Sequence, residues 1–189
     1  MNITLLRHPA VAAHGLCYGR SQVALLPEWL SQLPALRASL PQPLPQIYTS
    51  PAARCMVVAG FLGGPNVQAD ERLQELDFGH WEMLPWKDIP IDEMAAWTDD
   101  LEEAVPHCGE SGLDLIERAG NFLEHLVNQD QDALIVTHAG WIRALLAILL
   151  NTDLAHAFRL DINYLSLTQI VINEDLVTIS SINQNIVSP

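Results

Sequence analysis

Basic residues are scarce in this sequence. Of its 189 residues, 9 are basic and 23 are acidic, so the formal net charge is −14. That balance excludes a protein that holds nucleic acid or an anionic membrane through its overall charge. Lys87 is the one lysine, and every other basic residue is an arginine. Because the planar guanidinium matches carboxylate and phosphate groups, this bias indicates arginines that recognise an anion.

Cysteines are few and widely spaced. Cys17, Cys55 and Cys108 form no CxxC pair, which excludes a zinc ribbon and a thioredoxin-like redox motif. An odd number cannot form a complete disulfide framework and favours a reducing compartment. The longest apolar run, Ala144 to Leu150, is far shorter than the roughly 18 residues that a spanning helix needs. With no apolar leader at the amino terminus, we expect a soluble, cytoplasmic protein without a membrane partner.

Apolar residues are sufficient for a core. They make up 49% of the chain, which excludes global disorder, and the length suits one domain. Short apolar runs alternate with segments of helical spacing. The predicted strands are residues 3–6, 46–49, 66–69, 133–136, 165–172 and 176–182. The predicted helices are residues 28–40, in which Pro34 should kink or split the helix, 52–62, 111–128 and 141–150.

The alternation of strands and helices predicts the fold class. It is typical of a three-layer α/β/α fold with a mainly parallel sheet. The last two strands have a short connection near residues 173–175, which predicts an antiparallel hairpin at the sheet edge. Residues 70–110 break the alternation and hold three tryptophans and several prolines. We expect this stretch to be a partly helical insertion over the active site, within a single domain of residues 1–189.

Three predicted strands end in residues suited to an anionic ligand. Arg7 and His8 follow the first strand. Ser50 follows the second, with Arg54 one helical turn further on, and His138 follows the fourth. Ligands of open α/β sheets bind beyond the carboxyl ends of the strands. We therefore expect these side chains to meet in one site.

Two histidines and two arginines in one site suit phosphoryl transfer without a metal. An imidazole is a good nucleophile when one ring nitrogen is unprotonated and the other is held by an acceptor. The transfer also needs cations around the equatorial oxygens, which Arg7, Arg54 and a protonated His138 could supply. The leaving oxygen needs a proton, which a carboxylic acid of raised pKa can give. The candidate acids are Glu75, Asp77 and Glu82.

Five segments in order resemble the motifs of the histidine phosphatase (phosphoglycerate mutase-like) superfamily. They are Leu-Arg-His-Pro at 6–9, Ser-Pro-Ala-Ala-Arg-Cys at 50–55, Glu-Leu-Asp-Phe-Gly-His-Trp-Glu at 75–82, Gly-Glu-Ser at 109–111 and Val-Thr-His-Ala-Gly at 136–140. The resemblance covers most of the chain and implies a histidine phosphatase-like fold. Among subfamilies, Gly-Leu-Cys-Tyr-Gly-Arg at 15–20 resembles the alpha-ribazole phosphatases of cobalamin biosynthesis.

The resemblance implies a role for each matching residue. His8 would be the nucleophile that becomes phosphorylated, and Glu75 would be the proton donor and then the base for water. The residues that would bind the phosphoryl oxygens are Arg7, Arg54 and His138. The residues on the substrate side of the pocket would be Tyr18, Gly19, Arg20 and Ala139. No cofactor or metal is implied, and no metal-ligand spacing connects the remaining histidines, which are His14, His80, His107, His125 and His156.

Five residues depart from the superfamily pattern, and two of them, Gln22 and Ala24, stand where related sequences often carry aspartate and proline. Pro9 replaces the glycine that usually follows the nucleophile, and we expect it to be tolerated because the His8 carbonyl is untouched. Met83 and Ala139 also stand where the pattern has glycine, and both could narrow the pocket.

The leading hypothesis is a metal-independent phosphomonoesterase that works through phospho-His8 on alpha-ribazole 5′-phosphate, with inorganic phosphate as product. The alternatives are a broad-specificity phosphatase of small metabolites, a phosphoglycerate mutase-like enzyme and a non-enzymatic phosphoester-binding or scaffold protein. A length of 189 residues counts against a mutase, which usually carries longer insertions. The intact catalytic set counts against a scaffold. The sequence contains neither the nucleophile elbow of a serine hydrolase nor the ligand spacing of a metallohydrolase. It leaves the oligomeric state open.

Overall fold

One mixed sheet organises residues 1–174 and 176–186, which are the part of the chain that the structure, a computed structural model, describes. Its strands are β1 (Asn2–Arg7), β2 (Gln46–Thr49), β3 (Val67–Ala69), β4 (Ala133–Thr137), β5 (Ser166–Asn173) and β6 (Leu176–Asn185). Their order across the sheet is β3-β2-β4-β1-β5-β6. The first four are parallel to one another, whereas β5 is antiparallel to β1 and β6 is antiparallel to β5. The predicted parallel sheet with an antiparallel edge is confirmed. Part of the predicted connection, Asp175, lies outside the described residues.

Helices cover both faces of this sheet. They are α1 (Trp29–Ser39), α2 (Ala53–Gly63), α3 (Ile91–Asp99), α4 (Gly112–Gln129), α5 (Ala139–Leu150) and α6 (Leu154–Ala157). Successive strand residues face opposite sides of a sheet. Accordingly, Leu6 and Leu134 pack with α1 and α2, whereas Leu5 and Ile135 pack with α4 and α5. The predicted three-layer α/β/α fold is confirmed. None of the described helices is long and apolar enough to cross a membrane.

Pro34 does not split the first helix. The helix runs unbroken from Trp29 to Ser39 with the proline inside it, so the expectation of a split is wrong. A proline in a helix interior costs about 3 kcal/mol because it removes one backbone N–H and crowds the preceding turn. Burial of Trp29, Ala35 and Leu36 against the neighbouring elements offsets that cost.

Residues 70–110 form irregular structure beside the carboxyl end of β1. The segment contains single-turn 3₁₀ helices at Glu71–Leu73, Gly79–Trp81 and Trp86–Asp88, followed by α3. Two of its tryptophans, Trp81 and Trp97, are buried in the core beside α4 and α5. The segment is partly helical, and five of its side chains border the cavity described below. Its status as an insertion within a single domain remains a prediction.

Candidate active site

A cavity of about 310 Å³ opens where β1 and β4 end. The end of β1 brings Arg7 and His8 to its wall, and the start of α5, which follows β4, brings Ala139 and Gly140. The rest of the wall is formed by Ala13, Gly15, Leu16, Tyr18, Glu75, Leu76, Phe78, Trp86, Trp97, Arg143, Phe158 and Tyr164. A larger cavity of about 400 Å³ lies at the amino ends of the same strands. Its described lining has Asp132 as its only charged side chain, so the chemistry belongs to the smaller cavity.

His8 is held with one ring nitrogen free. Its Nδ1 lies 2.7 Å from the carbonyl oxygen of Pro9. Because a carbonyl only accepts hydrogen bonds, Nδ1 carries the proton, and a neutral ring then has its lone pair on Nε2. Burial lowers the pKa of His8 well below its usual range, and the nearby cations Arg54 and Arg7 lower it further. His8 is therefore a neutral imidazole at pH 7, with Nε2 available as a nucleophile.

His138 and Arg54 form a fully buried pair beside His8. The Nη2 of Arg54 donates to Nδ1 of His138 at 3.2 Å, and Nε2 of His138 lies 2.8 Å from Oγ of Ser50. The rings of His8 and His138 are 5.2 Å apart between centroids. Burial lowers the pKa of His138 well below its usual range, with further lowering by His8 and Arg54. These contacts favour a neutral His138 rather than the protonated one that the sequence suggested.

Two arginines in the site have no anionic partner. Arg7 donates from Nη1 to the Ile162 carbonyl at 2.5 Å, and Arg54 donates to the carbonyls of Gly19 at 2.5 Å and Ser21 at 2.9 Å. Neither forms a salt bridge among the described residues. In both, the Nε atom is buried and has no hydrogen-bond partner there. Arg7 lines the cavity, whereas Arg54 and His138 do not. An arginine on the cavity wall without an anionic partner is a candidate group for binding an anion.

Glu75 is the one carboxylic acid among the described residues of the cavity wall. Its Oε2 accepts from the backbone N–H of Gly140 at 3.0 Å, and its Oε1 accepts from the N–H of Leu76 at 3.0 Å. A Cβ at position 140 would overlap Oε1 and lie 3.0 Å from Cδ of Glu75. Glycine at 140 therefore lets the carboxylate lie against the start of α5. The sequence pointed to the neighbouring Ala139, which also lines the cavity.

The two other candidate acids make structural contacts. Glu82 accepts hydrogen bonds of 2.9 to 3.2 Å from four backbone N–H groups, which are those of Gly19, Arg20, Ser21 and Phe78. Burial alone would raise the pKa of Glu82, but the Ser21 side chain and the backbone N–H groups of residues 19–21 outweigh it, and the pKa is lowered. Asp77 accepts from the N–H of Gly79 at 2.9 Å. Neither acid lines the cavity, so Glu75 is the candidate proton donor.

Only two of the four residues expected on the substrate side reach the cavity wall. Tyr18 and Ala139 line it, whereas Gly19 and Arg20 do not. The guanidinium of Arg20 is 39% exposed and lies 3.7 Å from Asp77 and 3.4 Å from Glu110. The pair of acids therefore holds Arg20 outside the site. Gly19 acts through its backbone, because its carbonyl accepts from Arg54 and its N–H donates to Glu82.

Two polar residues of the cavity wall, Tyr164 and Arg143, were not among the predicted site residues. The ring of Tyr164 lies 3.8 Å from the guanidinium carbon of Arg7, and its hydroxyl is 2.7 Å from the hydroxyl of Tyr18. Tyr164 belongs to no motif that would have revealed it. Arg143 donates from Nε to the Leu160 carbonyl at 2.9 Å, and burial lowers its pKa. Its position one helical turn after Ala139 was a signal that could have found it.

Arg118 supports the chain segment that carries Glu75. It donates from Nη1 to the carbonyls of Arg72 and Gln74 and from Nη2 to the carbonyl of Glu75, over 2.5 to 3.0 Å. Its Nε donates to Glu110 at 2.7 Å, so the guanidinium is paired as well as hydrogen-bonded. A buried ion pair with several additional hydrogen bonds gives a rigid support. The backbone of the candidate proton donor is thereby fixed.

The departures at Pro9, Met83 and Ala139 have separate outcomes. The acceptor for His8 is the carbonyl of Pro9, which proline retains, and not the carbonyl of His8 itself. Met83 is 46% exposed and lies off the cavity wall, so it does not narrow the pocket. Its φ of +67° explains why glycine suits this position. Ala139 does line the cavity, where its methyl group occupies space.

Fold and site together define an α/β protein with an anion-binding site built around a neutral histidine. The sequence profile of the histidine phosphatase superfamily (branch 1) matches residues 3–185, and the chain belongs to that superfamily. It is a phosphatase, so its substrate is a phosphoester and its product is phosphate. The predicted family and the histidine phosphatase-like fold are confirmed.

The chain is similar to known phosphatases over nearly its whole length. The adenosylcobalamin/alpha-ribazole phosphatase of Salmonella typhimurium is 28% identical over 198 residues, which cover 99% of this chain and 98% of that protein. The crystal structure of the alpha-ribazole phosphatase from Shigella flexneri gives a TM-score of 0.87 at 25% identity and covers 97% of this chain and 96% of its own. A mycobacterial glucosyl-3-phosphoglycerate phosphatase in complex with inorganic phosphate gives a TM-score of 0.84 at 28% identity and covers 99% of both.

Proposed function

We propose that this chain is a metal-independent phosphomonoesterase in which Nε2 of His8 accepts the phosphoryl group. The observation that carries the proposal is the neutral His8, whose Nδ1–H is held by the Pro9 carbonyl beside two arginines without an anionic partner. A nucleophile with a free lone pair and unpaired cations around it is what phosphoryl transfer requires. Arg7 and Arg54 supply the positive charge that the transferred group needs.

The reaction takes two displacements. Nε2 of His8 attacks phosphorus while the bond to the ester oxygen breaks, and the protonated Glu75 gives its proton to the departing alkoxide. Water then attacks the phosphorus of phospho-His8 as the N–P bond breaks. Glu75, now a carboxylate, takes a proton from that water, and inorganic phosphate leaves. The guanidinium groups of Arg7 and Arg54 bind the phosphoryl oxygens through both steps.

His138 changes its charge state when the phosphoryl group arrives. Burial and neighbouring cations lower its pKa. A dianionic group beside the ring favours the protonated form, so binding raises the pKa of His138. The imidazolium then adds a third cation to those of Arg7 and Arg54.

The substrate that we propose is alpha-ribazole 5′-phosphate. Two of the similar proteins are named as alpha-ribazole phosphatases. The residues of the cavity wall also suit a flat, apolar leaving group. Its aromatic residues are Tyr18, Phe78, Trp86, Trp97, Phe158 and Tyr164. Aromatic walls bind planar rings through stacked or edge-to-face contacts, each worth about 0.5–1.5 kcal/mol beyond burial.

One observation favours a second candidate, a phosphoester that carries a carboxylate, such as glucosyl-3-phosphoglycerate. Arg143 is a half-buried cation on the cavity wall, and among the described residues it forms no salt bridge. A guanidinium in this position matches a carboxylate. A broad-specificity phosphatase would use both the aromatic wall and Arg143.

A rapid-quench experiment tests the covalent mechanism. Mixing enzyme with an aryl phosphate should trap an acid-labile phosphoprotein, and His8→Ala should lose both this species and turnover. His14→Ala removes an exposed histidine that is not on the cavity wall and is the matched control. Turnover should persist in a chelator. Activity that survives in His8→Ala would reject the mechanism, and binding of the ester without turnover would support a scaffold.

A substrate comparison tests specificity. We expect the highest kcat/KM for alpha-ribazole 5′-phosphate, and Arg143→Gln should change it by less than about threefold. If a carboxylated ester is the substrate, Arg143→Gln should lower its kcat/KM about 10- to 100-fold, because a charge-assisted hydrogen bond is lost. The exposed Arg159→Gln is the charge-matched control. Equal activity on all esters would identify a broad-specificity phosphatase, and transfer of the phosphoryl group between hydroxyls would identify a mutase.

A further inference from the structure

Two histidines and a cysteine meet on the surface outside the catalytic cavity. One ligand atom of each of His80, His107 and Cys108 lies within 4.8 Å of the other two. The two imidazoles stack with centroids 4.4 Å apart and planes at 17°, and Nδ1 of His107 lies 3.0 Å from Sγ of Cys108. All three side chains are exposed, and none of them lines the cavity.

The backbone brings these three residues together. The N–H of His80 donates to the carbonyl of His107 at 2.9 Å. Gly79 has a φ of +53°, and a Cβ there would overlap the His107 carbonyl and lie 2.6 Å from the nitrogen of Gly109. Cys108 has a φ of +63°, a conformation that residues other than glycine disfavour. Two tightly packed turns therefore present the ligand atoms, whether or not an ion is bound.

We propose that His80, His107 and Cys108 form a binding site for a borderline-soft divalent cation, with Zn²⁺ as the reference ion. Imidazole nitrogen and thiolate sulfur are the ligands that zinc prefers, and they disfavour Mg²⁺ and Ca²⁺. Zinc bonds of about 2.1 Å to nitrogen and 2.3 Å to sulfur place tetrahedral ligand atoms about 3.3–3.8 Å apart. The two imidazole rings must rotate out of their stack so that their lone pairs point at one ion, and both side chains are exposed. Water completes the coordination, and the thiol releases its proton on binding.

An ion at this site would join two turns of the segment 70–110. The Gly79–Trp81 turn follows Asp77, and the turn that ends at Gly109 precedes Glu110, whose N–H donates to the Asp77 carbonyl at 2.9 Å. These backbone contacts lie next to the acids that pair with Arg20. None of the three ligand residues lines the cavity, so we expect the ion to have a structural role and turnover not to require it.

Cysteine alkylation tests the site directly, because Cys17 and Cys55 are buried and Cys108 is exposed. Zn²⁺ at a hundredfold excess over its Kd should slow alkylation of Cys108 about 100-fold in the native protein. It should also raise Tm by about 5–10 °C. Co²⁺ should give a thiolate-to-metal absorption band. His80→Ala and His107→Ala should each lose the protection, and the exposed His156→Ala should keep it.

Three results would overturn the proposal. The first is alkylation of Cys108 at the same rate with and without Zn²⁺. The second is protection that persists in a His80→Ala/His107→Ala double variant, with His80→Asn/His107→Asn as the second pair if the first does not fold. The third is a Co²⁺ band that survives in Cys108→Ser, which would place the ion at Cys55, where Sγ is 3.6 Å from Nε2 of His138. Phosphatase activity in a chelator reports on the catalytic mechanism separately.

Discussion

Gly140→Ala should separate the positioning of Glu75 from the stability of the fold. In the native structure the Gly140 N–H donates to Oε2 of Glu75 at 3.0 Å. An added Cβ would overlap Oε1 and lie 3.0 Å from Cδ and 3.3 Å from Oε2. Ordinary contacts of a Cβ are 3.4 Å or longer, so the carboxylate must move by about 1 Å. The obstacle is the end of a flexible side chain, and the backbone of α5 does not have to change.

Gly140→Ala should lower the catalytic rate strongly and the free energy of unfolding only a little. A misplacement of about 1 Å in a catalytic group can lower the rate about 100-fold. Losing one hydrogen bond to a carboxylate costs about 1.5–3 kcal/mol, while alanine in place of glycine returns up to about 1 kcal/mol of helix propensity. The net change of about 1–2 kcal/mol should lower Tm by no more than about 8 °C.

Single-turnover phosphoryl transfer from two esters is the assay. An alkyl phosphate needs a proton on its leaving oxygen, so Gly140→Ala should slow it about 100-fold. An aryl phosphate with an acidic phenol leaves without that proton and should slow less than about tenfold. Gly60→Ala is the matched control, because an added Cβ in α2 meets no atom within 4 Å. It should leave both rates unchanged.

Two results would refute the reasoning. Equal losses on the two esters would mean that Glu75 is not the proton donor in the transfer step. An unchanged rate on the alkyl ester, with Glu75→Gln inactive, would mean that residue 140 does not position the carboxylate.

Three other perturbations follow from the structure. Met83→Gly should relieve a backbone at φ +67° and raise stability by about 0.5–1 kcal/mol in thermal unfolding, whereas Met83→Ala should give no gain. Because burial lowers the pKa of His8 and His138 in the folded state, the unfolded chain binds more protons near pH 6.5. The free energy of unfolding should therefore fall as pH decreases below about 7, by at most about 1.4 kcal/mol per pH unit for each histidine. Denaturant titrations between pH 5 and 8 measure this slope, and an equal slope in His138→Gln would contradict the assignment. Glu82→Ala leaves the N–H groups of residues 19–21 without their acceptor and should cost about 2–4 kcal/mol together with a lower kcat/KM. A cost below about 0.5 kcal/mol would show that Glu82 does not hold that loop.

The site residues that follow the ends of strands could be predicted from the sequence. Arg7, His8 and His138 follow apolar runs that are typical of buried strands, and parallel strands of one sheet end at one edge. Local pattern and a general rule of topology were sufficient for these residues.

The positions of the loop residues relative to the cavity depend on contacts between distant segments of the chain. Arg20 belongs to a motif-like stretch, yet Asp77 and Glu110, from two other parts of the chain, hold it away from the cavity. Tyr164 reaches the wall from the opposite end of the chain. The sequence predicts that Pro34 destabilises α1, but it does not show that the helix stays unbroken. Burial of the apolar side of α1 supplies free energy that offsets the cost of the proline.

Residue types and their order along the chain were enough to predict the superfamily, the layered fold and the candidate nucleophile with its arginines. The charge states of the histidines and the contact between His80 and His107 depend on tertiary packing. His8 and His138 are neutral because burial removes the water that would stabilise their charged forms. His80 and His107 become neighbours because two turns with left-handed backbone pack together, although no spacing in the sequence connects them.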